Sequence, residues 1–474
     1  MNRSQSVKVI IASIVPISLL LLPTTTLGIE GLTIIEHRVI AIFFFAAIFW
    51  ILEPIPIYAT SLLIIFFELI MVSNQGLKML ISSPDPTSLG TPLNYKDILF
   101  TFASPIIILF LGGFFLAMAA TKYRLDQNLA RVLLKPFGQQ PKWVLLGIMI
   151  ITAVFSMFMS NTATTAMMLS ILAPVLSLFL PEDRGRMAFV LAIPFAANIG
   201  GIGTPIGTPP NAVALKYLTG ESAISFGEWM LMALPFVLVL MAFCWILLLT
   251  IYPIKTPQIS LDMKGTWIRN PKAYVVYGTF ALTILLWLTD FVHGMNAYVV
   301  AMFPVAIFSA FNIINKNDLK NISWDVLWLV SGGIALGLAL ESSGLAQRMV
   351  DVIPFEALPP LIIIMVITVV AMLMANFMSN TATANLILPL VAALGVALSS
   401  LDTFGGSKMI ILAVTISCSM GMALPISTPP NALAFATGSI ETKHMAKPGV
   451  MIALVGILLN YTLMYLLNLV GFFE

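Results

Sequence analysis

Two triplets of short polar side chains are the residues in this sequence best suited to chemistry. Ser160-Asn161-Thr162 stands between the apolar runs 151–159 and 163–172, and Ser379-Asn380-Thr381 stands in matching surroundings 219 residues later. Polar groups buried there need partners, since each unpaired one costs about 1–3 kcal/mol. A helix break at the triplet gives them a use, because it exposes backbone N–H groups at one end and C=O groups at the other. Carbonyls, hydroxyls and amide oxygens suit sodium. Amide N–H groups and helix N-termini suit an anion. One break therefore serves a cation and a carboxylate together. For a single triplet the competing reading is polar glue between packed helices, and the second copy argues against it.

Gly207-Thr208-Pro209-Pro210-Asn211 likewise recurs as Ser427-Thr428-Pro429-Pro430-Asn431. Paired prolines remove two backbone donors and disfavour helix just before them. Upstream, 196–203 and 417–422 are rich in small residues, and Asn198-Ile-Gly-Gly-Ile-Gly203 is expected to be unwound. Thr208 and Thr428 are candidates to give hydroxyls to a carboxylate, and Asn211 and Asn431 to cap the broken ends. Gly112-Gly113 recurs as Gly332-Gly333, so three collinear matches fall at shifts of 219 or 220 residues. That pattern is a duplication. Duplicated membrane segments with matched interruptions point to a transporter whose site lies at the repeat interface, although pores are duplicated too.

Composition fixes the solvent. Of 474 residues, 59% are hydrophobic and only 9% charged, with a mean hydropathy of +1.01. Soluble domains use about 25% charged residues to face water, so this chain needs a bilayer. At roughly 20 residues per span it has room for about 10–12. A net charge of +2 gives no reason to expect nucleic acid as a partner. Three histidines (His37, His293, His444) and two cysteines (Cys244, Cys418) offer neither a zinc set nor a disulfide, and no catalytic triad or metalloprotease motif is present. The apolar run 7–22 reads as a retained first helix rather than a cleaved leader. Apolar stretches at 7–27, 38–52, 55–74, 98–120, 143–159, 163–180, 187–203, 229–252, 273–292, 295–312, 323–342, 358–378, 382–399, 408–422, 430–439 and 449–472 outnumber the spans of a simple bundle. Re-entrant segments account for the excess.

The chain divides into a first half, 1–252, a connection, 253–272, and a second half, 273–474. Lys122, Arg124, Arg131, Lys135 and Lys142 in one loop, and Lys255, Lys264, Arg269 and Lys272 in the connection, place both segments in the cytoplasm with the N-terminus. Neither motif contains Lys or Arg. Lys216, five residues after Asn211, reads as a surface anchor. Glu53-Pro54-Ile55-Pro56 reads as a helix end. Glu68 needs a partner and reads as structural or interfacial, with a proton relay as the alternative. Asp325 reads as a helix cap. The methionines of 157–168 read as packing, not copper ligands.

The paired Ser-Asn-Thr and Thr-Pro-Pro-Asn copies, with Glu53-Pro54-Ile55-Pro56, resemble the divalent anion:sodium symporter family over nearly the whole chain. That resemblance implies an all-α polytopic homodimer with about eleven transmembrane helices, two inverted-topology repeats with discontinuous helices and re-entrant hairpins, and interleaved scaffold and transport domains that work as an elevator. It implies that Ser160, Asn161, Thr162, Ser379, Asn380 and Thr381 hold substrate carboxylates while Thr208, Thr428 and Pro429 close on them. A first sodium site would use Ser156, Ser160, Asn161 and the backbone near Gly207. A second would use the backbone near Ala375, Asn380 and the backbone near Ser427. The family often has Thr-Glu-Phe where this chain has Ala375-Asn376-Phe377, so the second cation site is the weaker.

The expected function is secondary transport of small dicarboxylates (succinate, malate, fumarate, 2-oxoglutarate), coupled to sodium, in a prokaryotic inner membrane with lipid as its surroundings and no cofactor. Sodium-independent dicarboxylate exchange is the alternative. An anion channel fits less well, since it needs a continuous polar path, and an enzyme has no catalytic set to work with.

Overall fold

The computed structural model describes residues 3–81, 86–176, 179, 182–259, 266–352 and 358–473. Among these residues there are helices and turns, and the only β-pairing is an isolated bridge between Ser73 and Leu93. Nine of the described helices are long and apolar enough to cross a membrane, as backbone in hydrocarbon requires. The chain is an all-helical multi-pass membrane protein.

The first three helices are α1 (Arg3–Leu21), α2 (Ile34–Leu52) and α3 (Ile57–Met71). Glu53 ends α2 in the left-handed region at φ 45°, and Pro54 and Pro56 then forbid its continuation. Next come α4 (Pro105–Lys122), α5 (Leu125–Leu134), α6 (Pro141–Phe158), α7 (Asn161–Leu176), α8 (Gly185–Gly201), α9 (Pro209–Leu215) and α10 (Phe226–Ile251). After the connection, where 260–265 lie outside the described residues, follow α11 (Pro271–Leu288), α12 (Met302–Ala310), α13 (Trp324–Ser342), α14 (Leu345–Val352), α15 (Pro360–Phe377), α16 (Asn380–Ala397), α17 (Gly406–Cys418), α18 (Pro429–Ala436) and α19 (Thr442–Leu469).

The sequence duplication is thus a duplication of elements, with α6 and α15, or α9 and α18, in corresponding registers. The joints match as well: Arg124 before α5 and Gly344 before α14 both take positive φ.

The halves interlock reciprocally. First-half α9 packs on second-half α16 and α17, and second-half α18 packs on first-half α7 and α8. The glycine pairs permit two further close approaches. A Cβ on Gly112 would strike Ala301, against which α4 packs just before α12, and one on Gly332 would strike Ser61 of α3. Small residues at such crossings let backbones touch where lipid gives no hydrophobic drive to associate. Helices α8 and α17 run through the middle, almost wholly buried, whereas α10 and α19 keep exposed leucines such as Leu238 and Leu458 for lipid.

The connection is anchored to the helical bundle at Asp183. The buried Asp183 carboxylate accepts from the N–H groups of Gly185, Lys255 and Thr256 and from the Thr256 hydroxyl. Burial alone would raise this carboxyl, but the four donors outweigh it and hold it below the ordinary carboxylate range.

Candidate functional site

Both polar triplets sit at helix breaks. Helix α6 stops at Phe158 and α7 restarts at Asn161; α15 stops at Phe377 and α16 restarts at Asn380. Each restart aims its first-turn N–H groups outward, and Ser379 caps α16 by accepting from the N–H of Ala382 at 3.2 Å. The two restarts meet: Ser160, Asn161, Thr162, Thr208, Ser379, Asn380, Thr381, Thr428 and Pro429 all line one cavity. Its space of about 190 Å³ is small beside the ~300–1,000 Å³ of drug-sized clefts, so it fits a small metabolite. Among the described residues that line it, Asp325 is the only charged one, and no Lys or Arg is present.

The breaks before the proline motifs are held by their asparagines. Asn211 donates to the carbonyls of Gly201 (3.1 Å), Ile202 (3.2 Å) and Thr204 (2.8 Å). Asn431 donates to those of Met422 and Leu424, both at 2.9 Å. Trp229 adds a bond to the Ile202 carbonyl at 3.1 Å. In the first half the unwinding falls later than its glycines suggest: α8 stays helical through Gly201, and the non-helical stretch is 202–208. Close packing of Gly200 on the Ala153 backbone holds that turn against its weak propensity.

Behind the cavity the two halves differ. In the first, the buried Ser156 hydroxyl lies 2.8 Å from the Ala197 carbonyl and in contact with the Asn161 side-chain oxygen. Asn161 also packs on Gly201, whose backbone touches Gly207. Hydroxyl, amide and carbonyl oxygens therefore converge there with donor chemistry fit for sodium. In the second half Ala375 supplies no hydroxyl. The Asn380 amide, in the orientation that satisfies its neighbours, donates to the carbonyls of Cys418 (3.2 Å) and Gly421 (3.3 Å). Ser427 donates to the Asn376 carbonyl at 2.8 Å.

Asn198 joins the site although the sequence did not single it out, and Asp325 joins it in a role other than the helix cap expected of it. Asn198, at the end of α8, donates 3.1 Å bonds to both the Thr428 hydroxyl and the Asn431 side-chain oxygen, tying one half to the other. Its copy in the duplication is Cys418, so motif matching alone does not find it; the available signal is a lone amide in an apolar run. Asp325 lies in the first turn of α13, where Ser323 holds the cap position, and lines the cavity instead of capping the helix. Lys216 is not a surface anchor: its ammonium donates to the Ile334 carbonyl of α13 at 2.9 Å. Glu68 is fully buried inside the bundle and not interfacial. Among the described residues no three His, Cys, Asp or Glu side chains cluster as metal ligands.

Comparison with known proteins gives this geometry relatives. A family model described as citrate transporter matches residues 47–407. The sodium-dependent dicarboxylate transporter SdcS of Staphylococcus saprophyticus is 32% identical over 468 residues, covering 90% of this chain and 85% of that protein. The sodium-dependent high-affinity dicarboxylate transporter 3 of Caenorhabditis elegans is 28% identical, covering 89% of this chain and 81% of that protein. The Alcanivorax borkumensis YdaH transporter shares the fold at a TM-score of 0.54 and 12% identity, over 87% of this chain and 98% of that one. The protein is a non-enzymatic membrane carrier and belongs to the divalent anion:sodium symporter superfamily, with the citrate-transporter family and the SdcS-type carriers.

Proposed function

We propose that this protein moves small dicarboxylates such as succinate, malate, fumarate and 2-oxoglutarate across a prokaryotic inner membrane in symport with sodium. The observation that carries the reading is the meeting of two helix N-termini, at Asn161 and Asn380, on one small cavity. Each brings partial positive charge, free N–H groups and a Ser-Asn-Thr triplet, so each holds one carboxylate. With no basic side chain among its described lining residues, the site balances the dianion with dipoles, hydroxyls and bound cations. Sodium at Ser156, Ser160, Asn161 and the Gly207 backbone is the principal counter-charge.

The matched registers of the two halves and the reciprocal packing of α9 and α18 support an inverted repeat, with α6–α7 and α15–α16 as re-entrant hairpins among about eleven spans. The site-bearing helices then move as a transport domain against a scaffold in an elevator-type step, within a homodimer. Sodium-independent exchange is the second reading. It draws on Ala375, which offers no hydroxyl, and on the Asn380 amide, whose N–H groups are spent on the Cys418 and Gly421 carbonyls.

Reconstitution in liposomes decides between them. Uptake of labelled succinate into empty vesicles, dependent on an inward sodium gradient, is the expected result. Uptake confined to vesicles preloaded with dicarboxylate, and indifferent to sodium, establishes exchange instead. No saturable dicarboxylate flux in either format overturns the assignment.

Ser156→Ala removes one first-half oxygen, and a lost ligand contact of about 1.5–3 kcal/mol raises the sodium concentration for half-maximal uptake roughly tenfold or more. Unchanged sodium activation would remove Ser156 from the cation site. Asn198→Ala leaves the triplets in place but unties Thr428 and Asn431. The KM for succinate rises about tenfold, one to two hydrogen bonds' worth, while the folded yield stays near wild type. A wild-type KM would show that the tie does not shape the site.

A further inference from the structure

The cavity has two kinds of wall. The helix breaks supply one, with the N–H groups, hydroxyls and amides of the two triplets and of the proline motifs. Helices α3, α4 and α13 supply the other, and α13 packs on both of the first two. Ile57, Tyr58, Phe110, Phe114, Asp325 and Leu329 line the cavity from this side. Apart from the Tyr58 hydroxyl and the Asp325 carboxylate, this wall is apolar.

The fold makes no other use of that carboxylate. Helix α13 has no side-chain cap bond, and Ser323 holds its cap position. Among the described residues the ion pairs join Lys122 to Asp318, Arg348 to Glu36 and Lys443 to Glu441, and none takes Asp325. The first turn of a helix is a favourable place for a negative charge. Beside an anion, however, the same charge costs affinity, because like charges repel and a protein surface screens them less than bulk water does.

The positive charge in the cavity is limited. Two helix N-termini, each equivalent to roughly half a charge, and one sodium at the first-half site together match two negative charges. No Lys or Arg among the described lining residues answers a third. Succinate needs no more than this. A tricarboxylate with two carboxylates on the triplets must turn its third toward the apolar side chains or toward Asp325. The first choice desolvates a charge without a partner, and the second sets like charges together.

We propose that Asp325 restricts this cavity to dianions: it leaves room for the two carboxylates on the triplets and repels a third from the wall made by α3, α4 and α13. The inference rests on the dicarboxylate reading and narrows the substrate class within it. Asp325 is solvent-exposed, so screening holds its effect on a neighbouring charge to about tenfold.

The test uses a matched pair of anions. Tricarballylate is glutarate with a carboxylate on its central carbon, and 3-methylglutarate carries a methyl group there instead. Each competes with labelled succinate for uptake by wild type, Asp325→Asn and Asp325→Ala. The liposomes are preloaded with succinate under an inward sodium gradient, so symport and exchange both register. The assay runs at about pH 8, where all three carboxylates of the probe are ionised. Wild type is expected to prefer 3-methylglutarate by about tenfold or more. Both variants are expected to bind succinate somewhat more tightly and to narrow the preference about tenfold, with Asn the more effective because its amide can donate to the third carboxylate. A wild type that does not discriminate overturns the proposal, as does an unchanged preference in an active variant. Loss of succinate uptake in both variants overturns it too, since Asp325 would then be needed to carry dicarboxylates at all. Wild type without saturable succinate uptake refutes the dicarboxylate reading and the filter with it, whereas normal wild-type uptake with an unchanged preference in the variants refutes the filter alone.

Discussion

Asn161→Ala and Asn380→Ala each lower succinate uptake by about two orders of magnitude while the protein stays folded. Each asparagine begins a helix at the cavity and lines it, and neither contributes apolar packing that alanine would remove. A hydrogen bond to a charged group is worth about 1.5–3 kcal/mol, which is roughly 10- to 100-fold in affinity. In the first half the same amide oxygen also touches the Ser156 hydroxyl, so its loss reaches the cation as well. Asn161→Ala is therefore expected to be the more sodium-sensitive of the two, and Asn380→Ala to act mainly through succinate affinity. Initial rates in liposomes at several sodium and succinate concentrations separate these effects. Either folded variant with more than about half of wild-type uptake refutes the assignment of the triplets, since even one weak charged hydrogen bond should cost more.

The duplicated motifs made the site legible because a helix break needs the same residues in each copy, wherever the copies end up in space. Residues 160–162 and 379–381 are far apart in sequence, yet both triplets line one cavity, as their paired chemistry demands. The prolines and asparagines of the second motif were legible for the same local reason: Pro209 and Pro429 begin helices, and Asn211 and Asn431 cap the stretches before them. What was not legible depends on contacts between the halves. Asn198 matters because Thr428 and Asn431 arrive beside it, and nothing near Asn198 in the chain announces them. Lys216, five residues after Asn211, read as a surface anchor because a long amine usually snorkels to water; here it donates to the Ile334 carbonyl of α13 instead. The late unwinding of α8 has the same origin, since Gly200 is held helical by the Ala153 backbone of another helix.

The duplication also suggests a substitution that the structure forbids. Gly207 occupies the position that Ser427 occupies in the second half, so Gly207→Ser looks conservative when the copies are aligned. The two environments are not equivalent. A Cβ on Gly207 would collide with the Gly201 carbonyl and stand 2.9 Å from the Gly201 Cα, and neither backbone has a flexible end to move aside. That Gly201 backbone is also held by Asn211 at 3.1 Å and packed on by Asn161. Ser427 instead donates its hydroxyl to the Asn376 carbonyl at 2.8 Å, and Gly421, the copy of Gly201, packs on Ala375. Gly207→Ser must therefore push the two strands of the first-half loop apart, which displaces Asn161 and the carbonyls beside Ser156. Overpacking of this kind costs about 1–3 kcal/mol, and it falls on a site where small displacements cost roughly 100-fold in rate. Sodium-dependent uptake is expected to fall by that order, whereas the reciprocal Ser427→Gly, which gives up the hydrogen bonds to the Asn376 carbonyl and from the Leu424 N–H without overpacking anything, keeps uptake within about tenfold of wild type. Equal tolerance of the two substitutions would mean that the halves are equivalent at this position and that the asymmetry of their cation sites lies elsewhere.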